Sequence, residues 1–477
     1  MFGYDPNTVI LCSESAACSF WHPVVASLLI FFVALTGFAY TTYLERRFIA
    51  LFQQRSGPNR VGPFGLLQPV ADGVKLIFKE DIIPSEVYRS VYFIAPILKA
   101  VPILIVFAVL PWGPAVAIPW FNGSWYQIQL GIADISVGVL WILAVTSLAT
   151  YGVVLAGWSS NNKYAMMGGL RASAQMISYE LSLGLTMAVP VMIVGSMSIN
   201  DIVAAQSAGP PILGWFVFQN PLAAAILGIA LLAEVSRSPF DLPEAEQELT
   251  QGYMTEYSGM KFALFMMAEY IGMIAVSFVW VSLYFGGWSL GGGIVANAPL
   301  LGPLVVIVKV VLVLIVMVWI RSTLPRFRYD RLMSFGWKVL LPLSFVSVLW
   351  TGVSLVVGDT FGTPIAYGVV SALFFALMLL AGVAILGREE PQPDDSPSLA
   401  DDPMVTGERK GAIPVLVDTL DALFGILFGA YEKIGGNLSR GRTRLVSELR
   451  EFNAEFGEPE PKDDDTPDRP AEAASGD

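Results

Sequence analysis

"LGPLVVIVKVVLVLIVMVWI", residues 301–320, carries one charged side chain, Lys309, in an otherwise apolar run. At about 1.5 Å per residue a helix over this stretch reaches about 30 Å, the thickness of a bilayer's hydrocarbon core. Runs of the same kind recur at 23–44, 93–111, 132–157, 174–197, 262–285, 338–357 and 366–387, with a shorter one at 221–235. Hydrophobic residues make up 55% of the 477, charged residues 14%, and the mean hydropathy is +0.61. That balance excludes a soluble globular chain. The expected fold is all-α, a polytopic membrane protein with about nine transmembrane helices.

The basic residues are segregated. Arg46, Arg47, Arg55, Arg60, Lys75, Lys79 and Arg89 share the connection 45–92. Others fall in 158–173, 236–261, 321–338 and the tail from 388, while the N-terminus and the alternate connections hold none. By the positive-inside rule the N-terminus lies outside and the C-terminus in the cytoplasm. The shorter run 221–235 must then cross, because without it Arg237 and Lys261 would fall on the wrong side.

Residues 1–22 lack the charged start of a signal peptide, so the first run is expected to stay as a helix. This external segment holds the only cysteines, Cys12 and Cys18, as a disulfide or as two free thiols. One histidine and two cysteines cannot supply four thiolates to an iron–sulfur cluster or two imidazoles to a haem. Electrons in any redox reaction served by this chain must reside in a partner.

Three regions are expected: the external segment 1–22, a membrane domain 23–387, and a cytoplasmic tail 388–477. The tail carries most of the net charge of −12 and is rich in Pro, Asp and Glu at both ends, the composition of partly disordered chain. Within it, apolar residues at helical spacing predict a short amphipathic helix around 414–436, either docked on membrane or partner or without effect on activity. In the first basic connection, Gly57, Pro58, Gly62 and Pro63 break any helix. Leu66, Leu67, Val70, Val74, Ile77 and Phe78 then form a stripe opposite Asp72 and Lys75. A helix of this length is too short and polar to span, so it lies at the interface, as an anchor or as the floor of an opening for an amphiphile.

Ionisable groups inside or bordering the runs are the candidates for function. Glu180, Glu234 and Glu269 lie within them, as do Lys99 and Lys309, and Glu45 and Asp134 lie at their ends. A charge at the bilayer centre costs about 2.5–3.5 kcal/mol on insertion scales, so such groups pair, protonate or line a hydrated cavity. Two readings follow: a proton path, or a static set of Lys–Glu pairs. The excess of acids favours the first. Beyond Pro239 and Pro243 the loop "AEVSRSPFDLPEAEQELTQGY", residues 233–253, adds Glu244, Glu246 and Glu248 next to Glu234. Exposed acids alone would mark only a solvated face.

Four segments, "LERRFIALFQQRSGPNRVGPFGLLQPVADGVKLIFKED", "LRASAQMISYELSLG", "AEVSRSPFDLPEAEQELTQGYMTEYSGMKFALFMMAEY" and "WIRSTLPRFRYDRLMSFGWKVLLPL", closely resemble a family of membrane subunits, the H subunits of bacterial NADH:quinone oxidoreductase, respiratory complex I. The mitochondrial equivalent is NADH dehydrogenase subunit 1. The resemblance covers about residues 20–390 and omits the tail and the cysteines. It implies a subunit of a translocase in the bacterial plasma membrane, between a hydrophilic arm and antiporter-like membrane subunits. Quinone would be the substrate, with FMN and iron–sulfur clusters in partner subunits, no cofactor or metal on this chain, and no nucleic acid. Arg46, Asp72, Arg237 and Asp241 would line or shape the quinone path, framed by the first and sixth spans and the amphipathic helix. Glu45, Glu180, Glu234 and Glu269 would carry protons together with Glu244, Glu246 and Glu248, and Arg171 and Arg321 would counterbalance acids. Lys99 matches no role in the family. Two alternatives remain: the membrane subunit of a related hydrogenase or formate-linked complex, and a stand-alone proton transporter, which more often has inverted repeats not seen here.

Overall fold

The computed structural model describes residues 9–12, 16–119, 125–208, 210, 212, 214–241, 250–291, 295, 298–361 and 373. The loop acids Glu244, Glu246 and Glu248, nearly all of the run 366–387 and the whole tail with its helix at 414–436 lie outside the described residues.

Among the described residues seven helices are long and apolar enough to cross a membrane, and one shorter apolar helix accompanies them. In chain order the described α-helices begin with α1 (Ala16–Phe52), the short α2 (Gln68–Ile77), α3 (Arg89–Val106), α4 (Gly138–Ser159), α5 (Lys163–Val194), α6 (Ile199–Ser207), α7 (Phe216–Gln219) and α8 (Pro221–Glu234), the last of these being the shorter apolar helix. After these come α9 (Gly259–Tyr284), α10 (Gly302–Thr323), α11 (Tyr329–Phe335) and α12 (Leu341–Phe361). A π-helical turn, Gly336–Leu340, joins the last two. Every apolar run that falls on described residues contains a helix, but the runs 93–111, 132–157 and 174–197 each extend past theirs by a few residues, and several helices outrun their apolar stretch. α5 starts eleven positions before the run at 174, because Asn162 caps it by accepting from the Tyr164 N–H at 2.9 Å and the following turns are good helix formers. The left-handed Gly195 ends it.

A small sheet, absent from the all-α expectation, lies at the opposite end of α1 from its arginines. β3 (Trp125–Ile128) pairs parallel with β1 (Val9–Leu11) and antiparallel with β2 (Val116–Pro119). Strands of three or four residues carry too few alternations to stand out from an apolar loop. The disulfide expected as one of two outcomes is formed between Cys12 and Cys18, tying β1 to the start of α1.

α8 is the centre of the bundle, packed on α5, α9 and α12, with Ala223, Leu227, Ala230 and Ala233 fully buried. Its fourteen residues span about 21 Å, short of the hydrocarbon thickness. Irregular chain before it is tolerated because protein groups satisfy the backbone. Gln206 does this from α6: its Nε2 donates to the Ser282 carbonyl at 3.0 Å, and its Oε1 accepts from Gly286 N at 2.9 Å and Phe216 N at 3.3 Å. Asn220 caps α8 and donates to Thr351 Oγ1 at 2.8 Å.

Helix α3 presses on α4 where a side chain is missing. A Cβ on Gly152 would sit 2.6 Å from Lys99 N, so glycine permits the approach that places Lys99 in the interior. On the arginine-bearing side, α2 has no buried residue and leaves Val70, Val74, Ile77 and Phe78 exposed, as an interfacial helix requires. The turn before it depends on Gly65, at φ +80°, whose Cβ would fall 2.2 Å from the Pro58 carbonyl oxygen.

Candidate functional site

Where α8 ends, Ser236 takes φ 55° and the chain turns inward, so Arg237 is aimed back into the bundle. There it meets acids from two other helices. Arg237 Nε lies 2.6 Å from Glu269 Oε1 of α9, an ion contact whose N–H is not aimed at the oxygen, and Nη1 lies 3.8 Å from Glu45 Oε1 of α1. Its guanidinium stands 4.2 Å from the Tyr270 ring centroid. Arg321 of α10 closes the group by bonding the same Glu45 oxygen. Side-chain exposures of 8% for Arg237, 5% for Glu45 and 4% for Glu269 put these charges out of water, where ions persist only when paired.

One turn earlier, Glu234 is buried, and its Oε2 has no hydrogen-bond partner among the described residues. It shares with Glu269 and Lys99 the wall of an internal cavity completed by apolar side chains such as Ile103, Ala149 and Val276. The cavity has about 50 Å³ open to water-sized molecules. Since about 10–15 Å³ of such space admits one water, several fit, and the three ionisable groups supply their partners. Thr146 of α4 lines the same cavity, and the single proton of the adjoining Ser147 hydroxyl has two acceptors within reach, Glu180 Oε1 of α5 and the Leu143 carbonyl at 2.8 Å.

Other described residues expected at the site make pairs of their own. Arg46 and Asp72 pair at 2.5 Å, joining α1 to α2, with Gln68 Nε2 donating to Asp72 Oδ1 at 3.2 Å. Asp241 pairs with Arg326 at 3.0 Å. Arg171 stands over the Tyr329 ring at 5.7 Å. Of the two lysines considered for static Lys–Glu pairs, Lys99 stands on the cavity wall, and Lys309 is held by carbonyls instead of by an acid. The Lys309 Nζ donates to Phe285, Gly287 and Ser289 oxygens at 2.7, 2.9 and 2.6 Å and sits 4.3 Å from the Trp215 ring.

Residues that sequence reasoning did not single out hold the site in place. Gln175 Nε2 donates to both the Ala233 and Phe240 carbonyls at 2.9 Å, pinning the end of α8 and the chain beyond it. Tyr179 donates to the Leu332 carbonyl at 3.0 Å, and Tyr92 stacks on Tyr257 at 4.2 Å behind the loop that leads into α9. A polar glutamine inside an apolar run was the available signal for Gln175.

Fold and site together define a polytopic membrane protein whose buried charges surround an internal cavity at the end of a short central helix. The sequence matches the NADH dehydrogenase family over residues 25–352. It is 48% identical over 337 residues to an H subunit of NADH-quinone oxidoreductase from Geobacter sulfurreducens, covering 69% of this chain and 94% of that protein. The corresponding H subunit of Protochlamydia amoebophila is 48% identical over 318 residues, 66% of this chain and 92% of its own length. That of Dehalococcoides mccartyi is 43% identical over 359, with 74% and 94% covered. The chain belongs to the NADH dehydrogenase family, among the H subunits of NADH-quinone oxidoreductase.

Proposed function

We propose that this chain is the membrane subunit of a proton-pumping NADH:quinone oxidoreductase, that it forms much of the quinone path, and that it couples quinone reduction to proton translocation. The observation that carries the reading is the cavity shared by Glu234, Glu269 and Lys99, one turn from the Glu45–Arg237–Glu269–Arg321 group. Reduction of a quinone takes two electrons, delivered by the partner subunits, and two protons. A headgroup drawing protons near Arg237 and Asp241 changes the charge balance of a network with matched cations and anions. Arg237 then shifts between Glu45 and Glu269, and the change in Glu269 is felt across the cavity by Glu234. Glu234 passes the proton by way of cavity water toward Glu180, which Ser147 orients. The loop acids Glu244, Glu246 and Glu248 would connect this path to the headgroup, and Arg46 and Asp72 would hold the amphipathic helix against α1 at the quinone entrance. The N-terminus would face outside and the C-terminus the cytoplasm.

The test is Glu234→Gln in the assembled complex. Coupled NADH:quinone reduction should be lost, while NADH oxidation by an artificial acceptor is retained. Full quinone reduction and pumping in this variant would refute the proposed path, and loss of both activities would trace the defect to assembly.

A further inference from the structure

At the end of the bundle far from the arginines, two hollows adjoin. One is an apolar groove of about 440 Å³ walled by Trp21, Val25, Leu29 and Val33 of α1, with Trp112 and Ile307 opposite. The other is a more polar pocket of about 500 Å³ that includes Gln127, Asp134 and Asn200. Both are of the size that holds a small ligand. His22, Gln129 and Gly131 line both, so the groove opens into the pocket.

The four α1 residues recur every fourth position, a single face of the helix. From Trp21 to Val33 that face extends about 18 Å, a little more than half of a hydrocarbon core of about 30 Å. The groove therefore has the depth of one leaflet, with its polar mouth at the surface. An acyl chain fills such a groove, and a headgroup fills such a pocket.

Charge selects the headgroup. Among the described residues no lysine or arginine lines either hollow. In the sequence none occurs in residues 1–22, 112–137, 195–220 or 286–300, whereas Asp5, Glu14, Asp134 and Asp201 do. Asp134 accepts from Ser198 Oγ at 2.9 Å, which fixes the carboxylate and leaves it further acceptor capacity. His22 Nε2 donates to the Gln129 carbonyl at 3.1 Å, which fixes the ring at the junction of groove and pocket. The amides of Gln127 and Asn200 are the donors for a phosphodiester. An anionic headgroup would meet a carboxylate and no cation, whereas a primary ammonium meets acceptors.

We infer that this pair of hollows is a binding site for one aminophospholipid, its ammonium on Asp134 and one acyl chain along α1. The test uses the whole complex, purified in mild detergent, incubated with equimolar palmitoyl-oleoyl phosphatidylethanolamine and phosphatidylglycerol vesicles and weighed by native mass spectrometry. The site is read as the lipid lost in Ala26→Trp, which fills the groove. Expected is one phosphatidylethanolamine fewer than in the wild type, and in Asp134→Asn a fall in its retention of about tenfold. Equal loss of both lipids in Ala26→Trp, or unchanged retention in either variant, would overturn the assignment. A photoreactive benzoylphenylalanine at Val25 should give an adduct with the mass of phosphatidylethanolamine. An adduct to a neighbouring subunit or to quinone would also overturn it.

Discussion

Removing the ammonium of Lys309 while keeping its stem, as Lys309→Met does, should loosen one end of α9 selectively. Each of the three N–H groups meets one carbonyl, at 2.6–2.9 Å, and the side chain is nearly buried at 9% exposure. Those carbonyls lie just past Tyr284, at the negative end of the α9 dipole, so the charge also faces a favourable field. Leaving a buried carbonyl unsatisfied costs about 1–3 kcal/mol. Three such costs do not simply add, since losing the ammonium also relieves its own desolvation, a matter of several kcal/mol. A net loss of about 3 kcal/mol remains, equivalent to about 150-fold in the local opening equilibrium. Hydrogen exchange read by mass spectrometry in peptides covering 281–291 should accelerate by about that factor, with peptides from α3 and α5 unchanged. Lys309→Arg should recover only part of the protection, because a planar fork cannot meet three converging acceptors. Exchange at 281–291 within about threefold of the wild type in Lys309→Met would refute the reasoning, since the three bonds would then contribute little.

Gly152→Ala places a methyl group 2.6 Å from Lys99 N and should cost about 1–3 kcal/mol by separating α3 from α4, seen as a lower melting temperature of the purified complex. Burial pushes the Tyr257 phenol up to about 12, against the lowering effect of hydrogen bonds from Ser159 and Ser160. A phenol whose pKa rises on folding contributes stability that is complete below its unfolded value near 10 and is lost as pH climbs toward 12, so Tyr257→Phe should lessen alkaline destabilisation in that window, measured by thermal melts at stepped pH. Replacing Cys12 and Cys18 by Ser opens a loop of seven residues and should cost about 2 kcal/mol on loop entropy, confined to the N-terminal segment. Limited proteolysis before α1 would report it. The wild type unfolded without reductant should take up no alkylating label.

The membrane helices were legible because the bilayer imposes a length on apolar runs, as with residues 301–320, and the shorter run 221–235 is found as the helix α8. Their ends were less so: α5 continues through Arg171 and α1 through Arg46, because polar residues at the interface cost a helix nothing. Glu234 and Glu269 stood out as carboxylates in apolar surroundings. Their grouping did not, since it depends on the backbone turn at Ser236 that sends Arg237 inward and on the close packing at Gly152 that brings in Lys99. Lys309 illustrates the limit: charge inside a run signals a partner, yet only the fold reveals that the partner is three backbone carbonyls.

The shortness of α8 has an electrical consequence. Glu234 terminates the helix beside Ile103, Ala149 and Gly272, residues from the interior of three spanning helices, so its carboxyl lies part-way through the insulating layer. A proton bound there has crossed a fraction of the transmembrane voltage. The full drop is about 2.3 kcal/mol per charge at 100 mV, so half of it is about 1.2 kcal/mol, or about sevenfold in occupancy. On the proposed proton path, the protonation of Glu234 would depend on the membrane potential as well as on pH, and the charge built up by pumping would act back on the group inside it.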